Sequence, residues 1–441
     1  MTHVHVRTAT AWALLGLAGI CASASAGDGA DGTTAKLTLV PKGGSAKVGY
    51  YQPQKATFDA TRPDGVKKVP ADAAAPRYGT LPIGDGVLFL LDESEGKPAR
   101  LWVDTNRNGD FTDDPAAEWT ARTVEANGAS RTSWNGSAMV ELASGSGAPV
   151  QVGILAYRFD PNDPSRAAMK NVILFYRDWV REGELTIGGR TMKALLVDDR
   201  AAGDFRPKAA AAGDAGKAAS GVNLLLDVNG NGRFDRRGES FDVAAPFNVG
   251  GTTWEIRDVA RDGGSFLVAR SSASVPEIPT PPDLSKGKPM LPFTAKDTDG
   301  KAVSFPADYK GKVVLVDFWA TWCGPCMGEM PNVVKAYERF HDKGFEVLGI
   351  SLDNEKSIER MPEVMKKAGM TWRQVADGKG WKAEVAQLYA VDSIPATFLV
   401  DGTTGRILGA DLRGEALATA VEKALSEQSK GGAASGASGG K

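Results

Sequence analysis

The chain has 441 residues, is 42% hydrophobic and 24% charged, carries a formal net charge of -2 and contains three cysteines. That length accommodates two or three domains with ordinary cores, and three cysteines exclude a fold stapled by several disulfides. Basic and acidic residues are interspersed, which excludes the basic stripe needed to neutralise nucleic-acid phosphates, so no nucleic-acid partner is expected.

Residues 1–26 place Arg7 before an apolar stretch, residues 11–20, and then the small residues of 22–26. This order reads as a secretory signal. The stretch is about half of what a membrane-spanning helix requires, so the mature protein is expected to be soluble and exported, to the periplasm. Cys21 raises the alternative of a lipid anchor, but Ile20 stands where that pattern wants a small residue.

Two parts of the N-terminal half repeat each other. Residues 79–84 match 183–188, residues 90–93 match 196–199, and residues 101–111 match 224–234. Short apolar runs at 87–91, 152–157, 172–175 and 254–256, separated by Gly, Asn and Asp clusters, predict strands and hairpins. The expected organisation is a mostly β, internally duplicated region with units at 35–160 and 165–270. The second unit carries a low-complexity insertion, 201–220, too poor in apolar residues to pack.

Each copy ends in an Asp-x-Asn-x-Asn-Gly turn. Asp104, Asn106, Asn108 and Asp110 alternate around Gly109, and Asp227, Asn229 and Asn231 around Gly232, with Asp235 following. Oxygen donors at alternate positions around a sharp glycine turn suit calcium. Neither copy has the closing acid at the twelfth position, where Pro115 and Gly238 stand; Asp113 and Asp114 precede the one and Glu239 follows the other. The Asn-Gly pairs equally suit hairpin turns that need no metal. Calcium is therefore a candidate ligand, and no cofactor is required.

Pro276, Pro279, Pro281, Pro282 and Pro289 mark residues 271–289 as a stiff linker. Beyond it, predicted strands at 313–319, 345–352, 397–400 and 406–408 alternate with helices ending at 341, at 355–368 and from about 415. This alternation implies a sheet with helices packed on it. Residues 429–441, nearly all Gly, Ala, Ser and Lys, are expected to be disordered.

Cys323 and Cys326 follow the apolar run 313–319 directly. A zinc site would need further Cys or His ligands, and outside the signal segment the chain offers only His341. The pair therefore points to disulfide exchange at a strand-to-helix junction. Helix N-terminal amides and the helix dipole favour a thiolate at Cys323, the attacking residue. Cys326, one turn on, is the resolving thiol, and Pro325 suits a first helical turn. Asp317 interrupts the apolar strand: it is either a strand-end carboxylate reaching water or a buried acid exchanging a proton with Cys326. Glu329, a turn beyond Cys326, either tunes that thiol or is a solvated helix charge.

Residues 318–326, Phe-Trp-Ala-Thr-Trp-Cys-Gly-Pro-Cys, together with Glu329, Pro331, Asp317 and the Ile394-Pro395-Ala396-Thr397-Phe398 segment, resemble the TlpA-like, thioredoxin-fold thiol-disulfide oxidoreductases exported by bacteria. The resemblance spans about residues 286–428. It implies an α/β thioredoxin-like C-terminal domain, 290–428, with a central mixed sheet flanked by helices. It further implies a cis Pro395 facing the disulfide, Trp322 as an aromatic shoulder, protein disulfides as substrates and a membrane electron donor as partner. The Gly324-Pro325 pair is the one found in reducing thioredoxins and implies a reductant. Two other functions compete. A thiol peroxidase pattern wants Thr three residues before its cysteine, where Ala320 stands. A calcium-dependent binding protein would make the redox domain an accessory.

Overall fold

The computed structural model describes residues 32–94, 98–126, 129–142, 148–207 and 220–436. The expected signal segment with Cys21, the middle of the insertion (208–219) and residues 437–441 lie outside the described residues.

The N-terminal region is largely β-strand in three sheets. The largest has the order Arg100–Val103, Val87–Asp92, Pro76–Leu81, Gln54–Asp59, Val172–Arg177, Val150–Phe159, Ala129–Leu142, Glu118–Ala126. A second runs Ser240–Asp242, Val222–Leu226, Arg190–Asp198, Val180–Ile187, Thr38–Val40, and a third Thr33–Lys36, Ser265–Arg270, Thr252–Arg257, Phe247–Val249. Every pairing in them is antiparallel. Alternate residues turn inward, so Phe89, Phe175, Trp179, Leu196, Leu224 and Phe266 from all three sheets meet in one core.

The four strands expected from apolar runs all form. Thr-, Ser- and Arg-rich Glu118–Ala126 and Ala129–Leu142 are also strands, although they lack an apolar run to announce them.

The pairing does not follow chain order. Thr33–Lys36 lies against Ser265–Arg270, with Ala35 opposite Phe266, and Thr38–Val40 against Val180–Ile187. The first two described strands thus each complete a sheet built from residues 180–270. Val172–Arg177, in turn, joins Gln54–Asp59 to Val150–Phe159 in the sheet built from residues 54–159.

The edges of the insertion depart from expectation. Ala201 and Phe205 are buried, and Phe205 N donates to Arg261 O at 2.9 Å. The Phe205 ring covers Gly263, where a Cβ would sit 2.6 Å from it. One aromatic side chain suffices to anchor a segment whose composition otherwise argues against packing.

The proline-rich linker is laid against its neighbours. Asn248 Nδ2 donates to Val275 O (2.8 Å) and Asn229 Nδ2 to Pro281 O (3.2 Å), while Gly250 N donates to Glu277 Oε1 (2.9 Å). Prolines lack an N–H but keep a carbonyl acceptor. The linker ends on the edge of the next domain, where Gly287 N donates to Ile407 O and Ile407 N to Lys288 O, at 2.7 and 2.8 Å.

The C-terminal domain opens with a hairpin, Phe293–Lys296 and Ala302–Phe305, and then builds the thioredoxin-like mixed sheet. Its order is Gln374–Val375, Phe345–Ser351, Val313–Trp319, Ala396–Asp401, Ile407–Ala410; the first three strands are parallel and the last two antiparallel. Helices Gly324–Phe340, Met361–Ala368 and Gly414–Gly436 accompany it. The helix expected from 355 begins only at Met361. Pro362 sets its first turn, and before it the Asn354 side chain takes the amides of Lys356 and Ser357 in a turn. The last helix continues through Ser429 to Gly436, correcting the tail expected to be disordered from 429: extending an existing helix costs far less than starting one.

Leu37 sits at the break between the chain's first two strands, inside the shared core. Leu37→Ala is expected to cost about 3 kcal/mol. Hydrogen exchange should quicken in Val180–Ile187 and Ser265–Arg270 rather than in Pro76–Leu81 and Val87–Asp92; the opposite pattern would count against the crossed pairing.

Candidate active site

Val313–Trp319 is buried at every residue and lies mid-sheet. Such a strand holds whatever follows it in a fixed place. Trp319 is locked by Nε1 donating to Gln374 Oε1 (2.9 Å) and by its carbonyl accepting Leu352 N (2.8 Å). The next turn is braced from the neighbouring strand: Thr321 donates its amide and hydroxyl to the buried Asp353 carboxylate at 3.0 and 2.6 Å, and Ser351 Oγ donates to the same group at 2.9 Å.

Cys323 then caps helix Gly324–Phe340. Its backbone is extended, its Sγ accepts Cys326 N at 3.2 Å, and its carbonyl accepts Met327 N at 3.0 Å. Gly324 and Pro325 fill the first turn, and Cys323 and Cys326 are disulfide-bonded with Cα atoms 5.3 Å apart. Both cysteines are almost fully buried. Trp322, by contrast, is 44% exposed and lies beside the equally exposed Trp381, with ring centroids 5.9 Å apart.

Asp317 is fully buried. Loss of hydration pushes its carboxyl up to about 7; the Arg413 guanidinium opposes this and the Glu329 carboxylate adds to it. Arg413 is held by three acceptors: Nη2 donates to Pro395 O (2.6 Å), and Nη1 to Leu412 O and Thr397 Oγ1 (both 2.9 Å). Thr397 stands opposite Asp317 in the ladder, and Ile394–Pro395 is cis. Glu329 Oε1 accepts Gly414 N at 2.6 Å, so its carboxylate binds the start of the last helix.

The fold therefore gathers Cys323, Cys326, Asp317, Glu329, Pro395 and Trp322 at one end of the sheet. Of the Asp-x-Asn-x-Asn-Gly turns, the second shares a cavity with Pro395 through Asn231, Arg233 and Asp235, and none of the first turn's residues lines it. Asp104 Oδ2 accepts Gly109 N at 2.9 Å, and Asp227 Oδ2 accepts Gly232 N at 3.0 Å, so the two turns close alike. Among the described residues, no three His, Cys, Asp or Glu side chains are grouped to hold a metal ion.

The AhpC/TSA family model matches residues 286–407. The thiol-disulfide oxidoreductase ResA of Bacillus thuringiensis subsp. konkukian is 31% identical over 139 residues, which is 32% of this chain and 76% of the relative. ResA of Bacillus subtilis is 32% identical over 118 residues, 27% of this chain and 63% of the relative. Among solved structures, the thioredoxin domain of a thiol-disulfide oxidoreductase from Bacteroides vulgatus is 35% identical, covers 32% of this chain and 99% of that chain, and has a TM-score of 0.30. The chain belongs, through its C-terminal third, to the ResA-like thiol-disulfide oxidoreductases.

In this ResA-like domain, sequence reasoning missed Arg413, Asp353 and Gln374. Arg413 is a lone basic residue ahead of a helix, and nothing in its spacing links it to Pro395 or Asp317; only the return of Ala396–Asp401 beside Val313–Trp319 brings them together. Asp353 had a weak signal, an acid just past the apolar run 345–352.

Because the folded Asp317 pKa lies above the ordinary value of 3.8, its contribution is favourable below about pH 4 and is lost as pH rises to about 7. A rise from 3.8 to about 7 is worth about 4 kcal/mol. Asp317→Asn should therefore remove this dependence and be more stable than the parent at pH 8 but not at pH 4.5, as denaturant unfolding across that range would reveal. In Arg413→Gln the loss of the cation should drive the Asp317 carboxyl higher and move the same inflection to higher pH. An unshifted inflection would show that Arg413 does not act on Asp317.

Proposed function

We propose that the ResA-like domain acts outside the cytoplasm as a reductant of protein disulfides and is recharged by a membrane electron donor. The observation that carries this reading is electrostatic. Asp317 lies in the strand that leads into Cys323 and feels Glu329, which stands one turn beyond Cys326 on the same helix, and the turn between the cysteines, Gly324-Pro325, holds no cationic side chain. A couple becomes a strong oxidant when its reduced, thiolate form is stabilised. Neighbouring carboxylates do the reverse, so electrons leave this pair readily.

In the proposed cycle the Cys323 thiolate attacks one sulfur of a substrate disulfide. The substrate S–S bond breaks, its other sulfur leaves as a thiol after taking a proton, and a mixed disulfide forms. Asp317 accepts the Cys326 proton, its raised pKa matching it to working pH. Cys326 then attacks Cys323 Sγ, which releases the reduced substrate and regenerates the enzyme disulfide. Two electrons and two protons from a donor dithiol reset the pair. Pro395, its carbonyl fixed by Arg413, flanks the substrate chain, and Trp322 with Trp381 offers apolar surface beside the sulfur.

The β region is proposed to position the substrate. A cleft of about 690 Å³ runs between Tyr50, Tyr51, Arg233 and Arg236 of that region and Asp392, Ser393 and Ile394 just before Pro395. Export is proposed from the signal-like residues 1–26; among the described residues no helix is long and apolar enough to cross a membrane.

The reduction potential of the Cys323–Cys326 couple in a dithiothreitol buffer is expected at or below about -250 mV, and a value near about -120 mV would make the domain an oxidant and sink the reading. Cys326→Ser should accumulate mixed disulfides with exported proteins that the parent does not retain, whereas Cys323→Ser should trap none.

A further inference from the structure

The second Asp-x-Asn-x-Asn-Gly turn contains a group that its own fold does not satisfy. Asp227 is only 6% exposed, and while its Oδ2 accepts Gly232 N across the turn at 3.0 Å, its Oδ1 is buried without a hydrogen-bond partner. An unpartnered buried carboxylate oxygen is costly unless a ligand completes it. Its neighbours also offer oxygen. Asn229 turns its amide nitrogen outward to Pro281 O (3.2 Å) and uses its carbonyl inside the turn on Asn231 N (2.9 Å), and Asn231 Oδ1 accepts Arg233 N at 2.7 Å. Glu239, fully buried, takes Asn229 N and Asp235 N on its two oxygens, both at 2.9 Å, and so closes the loop.

The first turn also leaves one buried carboxylate oxygen, Asp114 Oδ2, without a hydrogen-bond partner, but its other donors are spent differently. Both Asp104 oxygens accept turn amides, Asn106 and Asn108 direct their Nδ2 groups onto Asp113 Oδ2, and the Lys68 ammonium pairs with Asp110. Its positive charge comes from the protein.

We infer that the turn Asp227 to Glu239 is a site for a calcium-class cation, held by Asp227, the side-chain oxygens of Asn229 and Asn231, the main-chain carbonyl of Arg233 and Asp235, and that the ion braces the β region against the redox domain. The donors stand at alternate positions around Gly232, as a hard cation requires. Most are amide or main-chain oxygens, which is why no group of three acidic side chains marks the site, and which sets the affinity near that of extracellular modules, about 0.1 to 1 mM.

The position gives the ion its consequence. Gly238 backs onto the linker so closely that a Cβ there would meet Pro279 O at 2.7 Å. Arg233 reaches Asp411 of the redox domain at 3.4 Å, and Asn231, Arg233 and Asp235 line the same cavity of about 300 Å³ as Pro395 and Asp392. Filling the turn therefore fixes one wall of the cavity that Pro395 lines.

The test is calorimetric titration of the chelator-treated full chain with calcium chloride, then magnesium chloride, alongside melting and hydrogen exchange. Expected are about one calcium ion per chain, much weaker magnesium binding, a higher melting temperature, and slower exchange at residues 277–283 and 389–396. Asp227→Asn, which keeps the bond to Gly232 N, should weaken binding at least about tenfold. Asn231→Ala at the loop surface serves as a second variant should the first fold poorly, and Asp114→Asn in the first turn should bind like the parent. Absence of heat and of any melting shift up to about 10 mM calcium, far above that affinity range, overturns the inference. So does binding that survives Asp227→Asn but is lost in Asp114→Asn, which would assign the ion to the first turn.

Discussion

The placement of a carboxylate in the buried centre of Val313–Trp319 is the constraint around which the redox domain is arranged. A charge cannot reside there cheaply. The fold meets the difficulty by holding the Asp317 carboxyl near neutrality and by bringing one guanidinium, Arg413, within its field. That guanidinium is in turn pinned to Pro395 O, Leu412 O and Thr397 Oγ1. The group that tunes the acid therefore also fixes the cis Pro395 loop, so the buried acid and that loop share one support. Glu329 completes the arrangement by joining the cysteine-bearing helix to the start of the last one.

The redox site was legible in the sequence because its chemistry is local. Two cysteines one turn apart, a proline suited to the first turn and an apolar strand leading into them are read within a short window, and the structure puts them at a strand end and helix cap as that window implies. Asp317 was legible as an anomaly, a charge in an apolar run. Arg413 was not. Its meaning depends on Ala396–Asp401 returning antiparallel beside the central strand, a long-range pairing that leaves no periodic mark on residues 411–414.

The same division runs through the β region. Strands with an apolar face announce themselves. Which strand completes which sheet is not announced, because period-two alternation records what is buried and not against whom. Thr33–Lys36 pairs with a strand more than two hundred residues away because each half offers an open sheet edge whose amides and carbonyls must be satisfied. The edges of the insertion were misread for a related reason. Composition averages over a window, while burial of Phe205 is decided by one hydrophobic surface that Gly263 leaves room for.

The crossed pairing also changes how the two halves of the molecule are to be understood. Since Thr33–Lys36 and Thr38–Val40 each complete a sheet of residues 180–270 and share one core with residues 56–175, the β region that carries the Asp227 to Glu239 turn is one packed unit. That turn, the linker and the loop before Pro395 meet at one face through Asn229, Arg233 and Pro281. A shift at this face moves a wall of the cavity that Pro395 lines without disturbing the buried centre where Asp317 lies. The carboxyl of Asp317 is held by the interior of the redox domain, and the cavity that Pro395 lines takes its opposite wall from the β region.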